Sequence, residues 1–324
     1  MFELKREKSP CALALQRGIE MKRVILSAAV LAVSIGSALA ADLPSMKAPP
    51  PVFVPPPPLW TGGYIGLNAG GTWTGDSSAT TFGTPGYSNP LIGGGAIGAT
   101  PLSAALAAGS AISVNNGGFI GGGQAGYNYQ FYGSLVVGAE ADIQGLAGQS
   151  SVGTALGGSG SIAGFPASAV ASSALASRSL DYLGTVRGRL GYLITPTLLI
   201  YGTGGLAYGG ANANFSIVEA ITGPCYCGAP AFGAASYSNT RTGWTAGGGV
   251  EWMFLPNWSA KVEYLYYDLG STTLNSTGTG LNAANTPFWG ASYTTATRFN
   301  GNIVRAGVNW HWEGPAPAPI VAKY

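Results

Sequence analysis

Charged side chains are scarce in this sequence. Asp, Glu, Lys and Arg make up 9% of the 324 residues, whereas an ordinary soluble domain contains about 25%. This scarcity argues against a conventional cytosolic surface. Residues 1–40 hold six of the 15 Lys and Arg and three of the 13 Asp and Glu, so nine cations and ten anions remain beyond them. Because no basic field remains, we expect no nucleic-acid partner.

Long apolar runs and simple repeats are also missing. No stretch of 18 uninterrupted apolar residues follows Leu59, so the mature chain is not expected to contain a membrane-spanning helix. The 52 glycines follow no Gly-X-Y repeat, which excludes collagen. The 16 Tyr, 11 Phe and 8 Trp argue against intrinsic disorder.

The N-terminal region has the features of an export signal. Lys22 and Arg23 precede an apolar run over 24–39 that ends in Ala38-Leu39-Ala40, a pattern typical of a secretory signal peptide. We expect cleavage after Ala40, with residues 1–20 as an upstream extension. Residues 41–59 include KAPPPVFVPPPP, which predicts a semi-rigid, proline-rich linker in the periplasm.

Beyond the linker, apolar and polar residues alternate with a period of two in eight segments. Val137, Ala139 and Ala141 alternate with Glu140 and Asp142, for example, and this period predicts β-strands with one apolar and one polar face. The eight segments are 60–74, 118–131, 135–144, 180–192, 198–208, 242–254, 259–268 and 302–312.

The connections between these segments alternate strictly between short and long. Tight turns follow the second, fourth and sixth segments, whereas stretches rich in Gly, Ser, Ala and Asn occupy about residues 75–116, 146–178, 210–241 and 270–297. This alternation is typical of an outer-membrane barrel. The sequence therefore predicts an all-β fold, an eight-stranded antiparallel transmembrane up-and-down β-barrel over 60–312. It would have short periplasmic turns, four long extracellular loops and a C-terminal tail over 313–324.

The aromatic residues support this prediction, because outward Trp and Tyr should gather at both membrane interfaces. One predicted girdle lies beside the short turns and the other beside the long loops. The girdle residues are Tyr127, Tyr129, Phe131, Tyr192, Trp252, Trp310 and Trp312 on the turn side, and Tyr182, Trp244, Tyr264 and Tyr266 on the loop side.

The charged residues of the strands fall on the opposite, inward face. The predicted lumen network consists of Glu140, Asp142, Asp181, Arg187, Arg189, Glu251, Lys261, Glu263 and Arg305. Position relative to the turns predicts two cross-strand pairs, Glu251 with Lys261 and Glu140 with Arg187. The interior of an eight-stranded barrel is about filled by side chains. The network is therefore either a structural plug or the lining of a narrow ion path.

Three further motifs are candidate sites. The glycines of 121–126 match G-x-G-x-x-G but lie inside a predicted strand, so nucleotide binding is not expected. His311 is the sole histidine, and its place near the turn side argues for a structural role rather than catalysis on lipid. Cys225 and Cys227 lie on the third long connection. A short-loop disulfide, free or intermolecular thiols, and a metal site remain open for them. No cofactor is expected.

Several motifs together resemble one family. They are ADLP after the signal peptide, WTGGYIGLNAGG, GGGQAGYNYQF, LDYLGTVRGRLGY and NIVRAGVNW, and they resemble the alphaproteobacterial outer-membrane immunogenic proteins of the porin-like eight-stranded family. The tail EGPAPAPIVAKY after Trp312 departs from that pattern, which leaves either Trp312 or Tyr324 as the assembly signal.

The resemblance implies a surface-exposed, antigenic, non-enzymatic barrel that supports envelope integrity. A porin for small polar solutes is the first alternative, and an adhesin or small-ligand receptor acting through the loops is the second. The expected partners are outer-membrane lipid, lipopolysaccharide and the barrel-assembly machinery, and a monomer is expected.

Overall fold

The computed structural model describes residues 60–88, 99–114, 117–148, 151–156, 160–162, 165–223, 230–281 and 285–313. These residues form twelve strands and one helix. The strands are β1 (Gly62–Thr74), β2 (Ser78–Ser88), β3 (Ser110–Ser113), β4 (Gly117–Phe131), β5 (Leu135–Ala147), β6 (Ser151–Leu156), β7 (Gly160–Ile162), β8 (Phe165–Thr195), β9 (Leu198–Thr222), β10 (Ala231–Leu255), β11 (Trp258–Leu281) and β12 (Pro287–Glu313), and α1 is Ala99–Ala108. The predicted signal peptide, linker and C-terminal tail lie outside the described residues.

Antiparallel pairing closes the sheet into a barrel. Strands β1, β4, β5, β8, β9, β10, β11 and β12 pair in that order, and β1 pairs again with β12, from Gly62 opposite Glu313 to Thr74 opposite Gly301. Over the eight predicted segments, closure removes the free edges that an open sheet would expose. The all-β barrel predicted from the alternation is therefore confirmed.

The prediction of long loops is wrong over much of its range. Strands β8 to β12 continue far beyond the eight predicted segments, and β2, β3, β6 and β7 lie where loops were expected. We call this extended part the rim; it comprises β2, β3, β6, β7, α1 and residues 165–180, 209–223, 231–243, 269–281 and 287–301.

Strand β9 shows why the rim was missed. In its first half, Ile200 and Leu206 point outward and are about half exposed. In its second half Asn212 and Asn214 face outward, while Phe215 and neighbouring alanines are buried inside. The wall thus changes from apolar outside to polar outside along one strand, which is the pattern of a sheet exposed to water. The outward apolar pattern that predicts a membrane strand ends at this change.

Three short turns lie together at the end of the barrel opposite the rim. They are 132–134, 196–197 and 256–257. The first places Tyr132 and Gly133 at φ values of 48° and 76°, a left-handed conformation for which glycine is the natural residue. We call this end the turn end.

Helix α1 packs against the inner side of the rim. Ala104, Ala107 and Ala108 are buried, and the Ser172 hydroxyl of β8 donates a 2.5 Å hydrogen bond to the Ala107 carbonyl. The approach to β2 is so close that a Cβ at Gly83 would overlap the backbone of Ala105. None of the helices in the described ranges is long and apolar enough to span a bilayer.

The outward face between turn end and rim generates the first prediction. Ala141 is exposed there, with Ala125 and Val186 as strand neighbours, so Ala141→Arg should block assembly, since a mid-bilayer Arg costs about 2 to 4 kcal/mol. Asn214→Arg, on the exposed outer face of the rim, is the matched control and should assemble normally. Heat-modifiable migration on a gel measures the folded fraction, and equal folding of both variants would refute the assignment of the lipid-facing side.

Candidate functional site

Acidic and basic side chains meet in the barrel interior between turn end and rim. The alternation of each strand points them inward, and each is at most 5% exposed. They come from β5 (Glu140, Asp142), β8 (Arg187, Arg189), β10 (Glu251), β11 (Lys261, Glu263) and β12 (Arg305). We call these eight residues the charge cluster.

Arg187 makes the most contacts within the charge cluster. Its Nη1 donates to Glu263 at 2.9 Å and its Nη2 to Asp142 at 2.8 Å. The same Nη2 also bonds to Glu140, the register neighbour of Arg187 on β5. Nε donates to the Thr185 hydroxyl at 2.9 Å, so one guanidinium joins β5, β8 and β11.

Arg305 forms a second bridge from the opposite side of the lumen. Its Nε and Nη2 donate to Glu263 Oε2 at 2.8 and 2.6 Å, and Nη2 also reaches Asp142 at 2.8 Å. Charge-assisted contacts of this kind are stronger than neutral hydrogen bonds. Asp142 and Glu263 are therefore each shared by two arginines.

The predicted pair of Glu251 and Lys261 requires a correction. The two residues are register neighbours on β10 and β11, but Lys261 Nζ crosses the lumen to Glu140, at 2.8 and 2.9 Å from its two oxygens. Glu251 instead accepts a 2.6 Å bond from Arg189. A long lysine stem in a narrow lumen reaches the far wall as easily as the adjacent strand.

Two tyrosines that the sequence analysis did not select complete this arrangement. The Tyr64 hydroxyl accepts from Arg189 at 2.9 Å and donates to Glu140 at 2.6 Å. The Arg189 guanidinium carbon lies 3.9 Å from the ring centre of Tyr201, a cation–π contact. The only sign of these tyrosines in the sequence is the alternation of their strands, because both occupy inward positions that are otherwise held by polar residues.

Asp181 does not belong to the charge cluster. The β8–β9 register shifts between Leu180 and Leu183, and this bulge reverses which side of the wall each parity faces. Asp181 is consequently exposed on the outside, where it accepts a 2.8 Å bond from Asn212. The alternation of inward and outward residues does not continue across a bulge, so the prediction that places Asp181 in the lumen is wrong.

Apolar layers flank the charge cluster. At the turn end, Trp60 is 1% exposed and its Nε1 donates to the Pro196 carbonyl at 3.0 Å; it clusters with Val136, Leu193, Leu199, Tyr201 and Met253. Toward the rim, Ile120, Leu183, Leu265 and Ile303 have no exposed surface. The four carboxylates and four cations are thus enclosed, mutually neutralising and removed from water.

His311 lies between the charge cluster and Trp60. Its Nε2 is 2.8 Å from the Ser259 hydroxyl, and Ser259 donates to Glu251 at 2.6 Å. The ring stacks at 5.3 Å from Tyr64. Ser259 is fully buried, and its hydroxyl donates to Glu251, whereas the serine of a catalytic triad donates its proton to the histidine.

The glycine motif and the two cysteines of the sequence analysis are the remaining candidate sites. The 121–126 glycines lie within β4, and a Cβ at Gly126 would overlap the Tyr64 ring, so this glycine provides room for an aromatic side chain. Cys225 and Cys227 lie outside the described residues. Among the described ranges, no group of three or more His, Cys, Asp or Glu could hold a metal ion.

The predicted girdle residues point outward in two sets. Trp310 and Trp312 near the turn end have ring centres 5.7 Å apart, and Trp244 and Tyr266 below the rim are 5.4 Å apart. Most girdle residues are about half exposed, namely Tyr127, Tyr129, Tyr192, Trp244, Trp252, Tyr264, Trp310 and Trp312; Phe131, Tyr182 and Tyr266 are intermediate.

A single carboxyl group is buried in the rim, where none was predicted. Glu219 on β9 has no exposed surface and accepts one 2.5 Å hydrogen bond, from the Tyr293 hydroxyl of β12. Its Oε1 has no hydrogen-bond partner within the described structure. Burial without a neighbouring cation raises the pKa of Glu219 to about 7, since desolvation disfavours the charged form.

Comparison with known proteins gives matches over most of the chain. The family model of the outer membrane protein beta-barrel domain matches residues 28–311. The chain is 38% identical over 257 residues to the 31 kDa outer-membrane immunogenic protein of Brucella melitensis biotype 1, covering 78% of this chain and 90% of that protein. A 22 kDa outer membrane protein of Rhizobium leguminosarum bv. viciae is 30% identical over 152 residues, 46% of this chain and 53% of that protein.

Two solved structures are similar at low sequence identity. OprG of Pseudomonas aeruginosa gives a TM-score of 0.34 at 9% identity, covering 78% of this chain and 97% of that one. The Ail protein of Yersinia pestis gives 0.27 at 11% identity, covering 77% and 99%.

The contacts of Arg187 generate the second prediction. Arg187→Ala leaves three carboxylates short of a buried cation, which should lower the free energy of unfolding in detergent by about 3 to 5 kcal/mol. Arg187→Ala combined with Glu140→Ala restores neutrality and should recover part of the loss, as a double-mutant cycle would report. Strictly additive effects of the two substitutions would show that the two residues are not coupled.

The buried Glu219 generates the third prediction. Its raised pKa means that the folded rim favours the neutral carboxyl. The contribution of Glu219 to the free energy of unfolding is therefore fully present below pH 4.5, falls as the pH rises to about 7 and is constant above that. Glu219→Gln should therefore stabilise the protein at pH 8, by roughly 3 kcal/mol at most, and change little at pH 4. Thermal unfolding at both pH values tests this, with Asp181→Asn as the control for an exposed carboxylate. A stabilisation by Glu219→Gln that is the same at both pH values would contradict it.

Proposed function

Because the chain belongs to the family of the outer membrane protein beta-barrel domain, we propose that it is a non-enzymatic barrel that supports the envelope and displays its rim as a surface antigen. The observation that carries this proposal is the charge cluster, which is internally neutral and buried between two apolar layers. Such an interior stiffens a wall but leaves no solvated path through it.

The same proposal assigns a topology. The eight strands of the closed ring would span the membrane, with the turn end in the periplasm and the rim outside. Trp244 and Phe254, at the two ends of the outward apolar face of β10, are ten residues apart. Ten residues rise about 33 Å along a strand, or about 25 Å at the usual tilt, which matches the apolar band of such barrels.

The chain outside the barrel is placed accordingly. We expect removal of the signal peptide after Ala40, a periplasmic linker over 41–59, and a tail over 313–324. Outer-membrane lipid and lipopolysaccharide would surround the outward apolar face of a monomer inserted by the barrel-assembly machinery. Family membership supports the outer-membrane location.

The absence of enzyme activity is part of the proposal and has a geometric basis. Ser259 and His311 are 2.8 Å apart, but the serine is fully buried and its proton is directed to Glu251. A substrate would have no access to this hydroxyl. The arrangement instead ties β10, β11 and β12 together near the turn end.

The fourth prediction separates this proposal from the porin alternative. Folded wild-type protein inserted in a planar lipid bilayer should show no steady single-channel conductance, because charged side chains and apolar layers fill the lumen. Insertion is verified independently by the gel migration of protein recovered from the bilayer lipid. Arg187→Ala is the matched variant, and we expect it to give measurable current because water enters around the unpaired carboxylates. Stable, ion-selective channels in the wild type would instead favour the porin.

A further inference from the structure

The rim wall contains a gap between two strands. Strands β10 and β11 pair from Leu255 opposite Trp258 to Trp244 opposite Asp268, with one register shift between Met253 and Leu255, and after that only Phe232 pairs, with Thr279. Between these points, residues 233–243 of β10 and 269–278 of β11 are not paired with each other. The β10 stretch remains paired with β9 on its other side, and the β11 stretch remains paired with β12 beyond the bulge at its start.

The two segments that flank the gap differ in length by one residue. From Trp244 to Phe232 the chain advances twelve residues, but from Asp268 to Thr279 it advances eleven. One of these eleven, Gly270, lies in a bulge at a φ of 78°. The two segments therefore cannot keep one register across this interval, and β10 and β11 pair again only at Phe232 and Thr279.

Side-chain burial indicates that β10, and not β11, is displaced from the packed interior of the rim. Its inward residues Ala235 and Tyr237 are half-buried and Asn239 is exposed, whereas the inward Thr272, Leu274 and Ser276 of β11 remain buried. These inward residues are more accessible because β10 has a paired neighbour here on the β9 side only.

Arg241 occupies one end of the gap. Its Nε and Nη2 donate to the carbonyls of Leu269 and Ser271, both at 2.9 Å. A side chain thus satisfies two backbone acceptors that a partner strand would normally satisfy. Arg241 covers the edge of β11 in this way, and its Nη1 donates to the Tyr237 hydroxyl of β10 at 3.3 Å. Within the described residues, no side chain is seen to donate to the β10 backbone over 234–240.

We propose that the β10 edge over 234–240 is a docking site for an extended peptide, which would bind as an added strand. A row of free backbone donors and acceptors is matched in register only by another backbone. Natural proteins protect such edges with lysine, proline or short strands, yet the sequence over 234–240, AASYSNT, has none of the protective residues. The outward Ser236, Ser238 and Thr240 suit an uncharged, polar peptide.

This inference goes beyond the proposed function and uses its topology only to place the edge outside the cell. Residues 234–240 lie on the rim side of Trp244, which belongs to the girdle. If the rim faced the periplasm instead, the edge would still bind a peptide in detergent but not on intact cells. The two proposals therefore fail in distinguishable ways.

The test uses the full chain in detergent micelles and a fluorescent peptide with the sequence of residues 269–279, LGSTTLNSTGT. This strand would close the gap if it came within pairing distance. We expect saturable binding by fluorescence anisotropy and slower amide hydrogen exchange over 234–240. The same peptide N-methylated at alternate residues keeps its side chains but loses backbone donors, and it should bind at least about tenfold more weakly.

A pair of variants locates the site. Ser236→Lys together with Ser238→Lys places the natural edge-protecting residue on β10 and should weaken binding about tenfold. Asn212→Lys, an outward change on the fully paired β9, should leave binding unchanged.

Three results would overturn the proposal. They are equal binding of the N-methylated peptide, peptide-induced protection confined to amides outside 234–240, and amides over 234–240 that exchange as slowly as those of β9 without any peptide. Concentration-dependent self-association that protects 234–240 would overturn it in favour of a second copy of the chain at this edge.

Discussion

Removal of charge from water is the constraint on which this barrel depends. Four carboxylates and four cations lie in a lumen about as wide as their side chains, and isolated buried ions are far too unfavourable to persist. Each is therefore held by at least one opposite charge, and Arg187 and Arg305 share the same two carboxylates. Since these residues come from five different strands, their pairing requires the strands to keep one relative register.

The outer face of the barrel wall at β9 is apolar toward the turn end and polar at the rim, so it suits two different environments. Along β9 the outward residues change from Ile200 and Leu206 to Asn212 and Asn214, while the inward side becomes apolar. One continuous strand can serve both environments because its hydrogen bonds do not depend on which side chains face outward. The rim can therefore be built by lengthening the membrane strands, with its own apolar core around Phe215 and Leu274.

The sequence predicted the barrel and most of the charge cluster because both depend on the period of two. Outward Val137 and inward Glu140 need only the alternation of a strand. The sequence could not predict the bulge that places Asp181 outside, because a bulge changes parity without a distinctive residue pattern. It also could not predict the partner of Lys261, since the choice between Glu251 and Glu140 depends on distances across the lumen.

The rim was the largest omission. Its Ala, Ser and Asn content is typical of loops, and small inward residues gave no strong apolar signal. Ala211 and Ala213 are nevertheless fully or almost fully buried, as members of the hydrophobic cluster inside the rim. Burial there depends on which elements pack together, which no local pattern contains.

Trp60 gives the barrel a mechanical property. The indole is held inside the turn end by the Pro196 carbonyl, and the Trp60 amide donates to the Gln130 side chain at 3.0 Å. Any pull on the chain that precedes Trp60 is therefore borne first by this indole and by its contacts with the Pro196 turn and the end of β4, not by the pairing of β1. A load applied there would have to draw a large aromatic ring out of its apolar socket before it could begin to peel a strand from the wall.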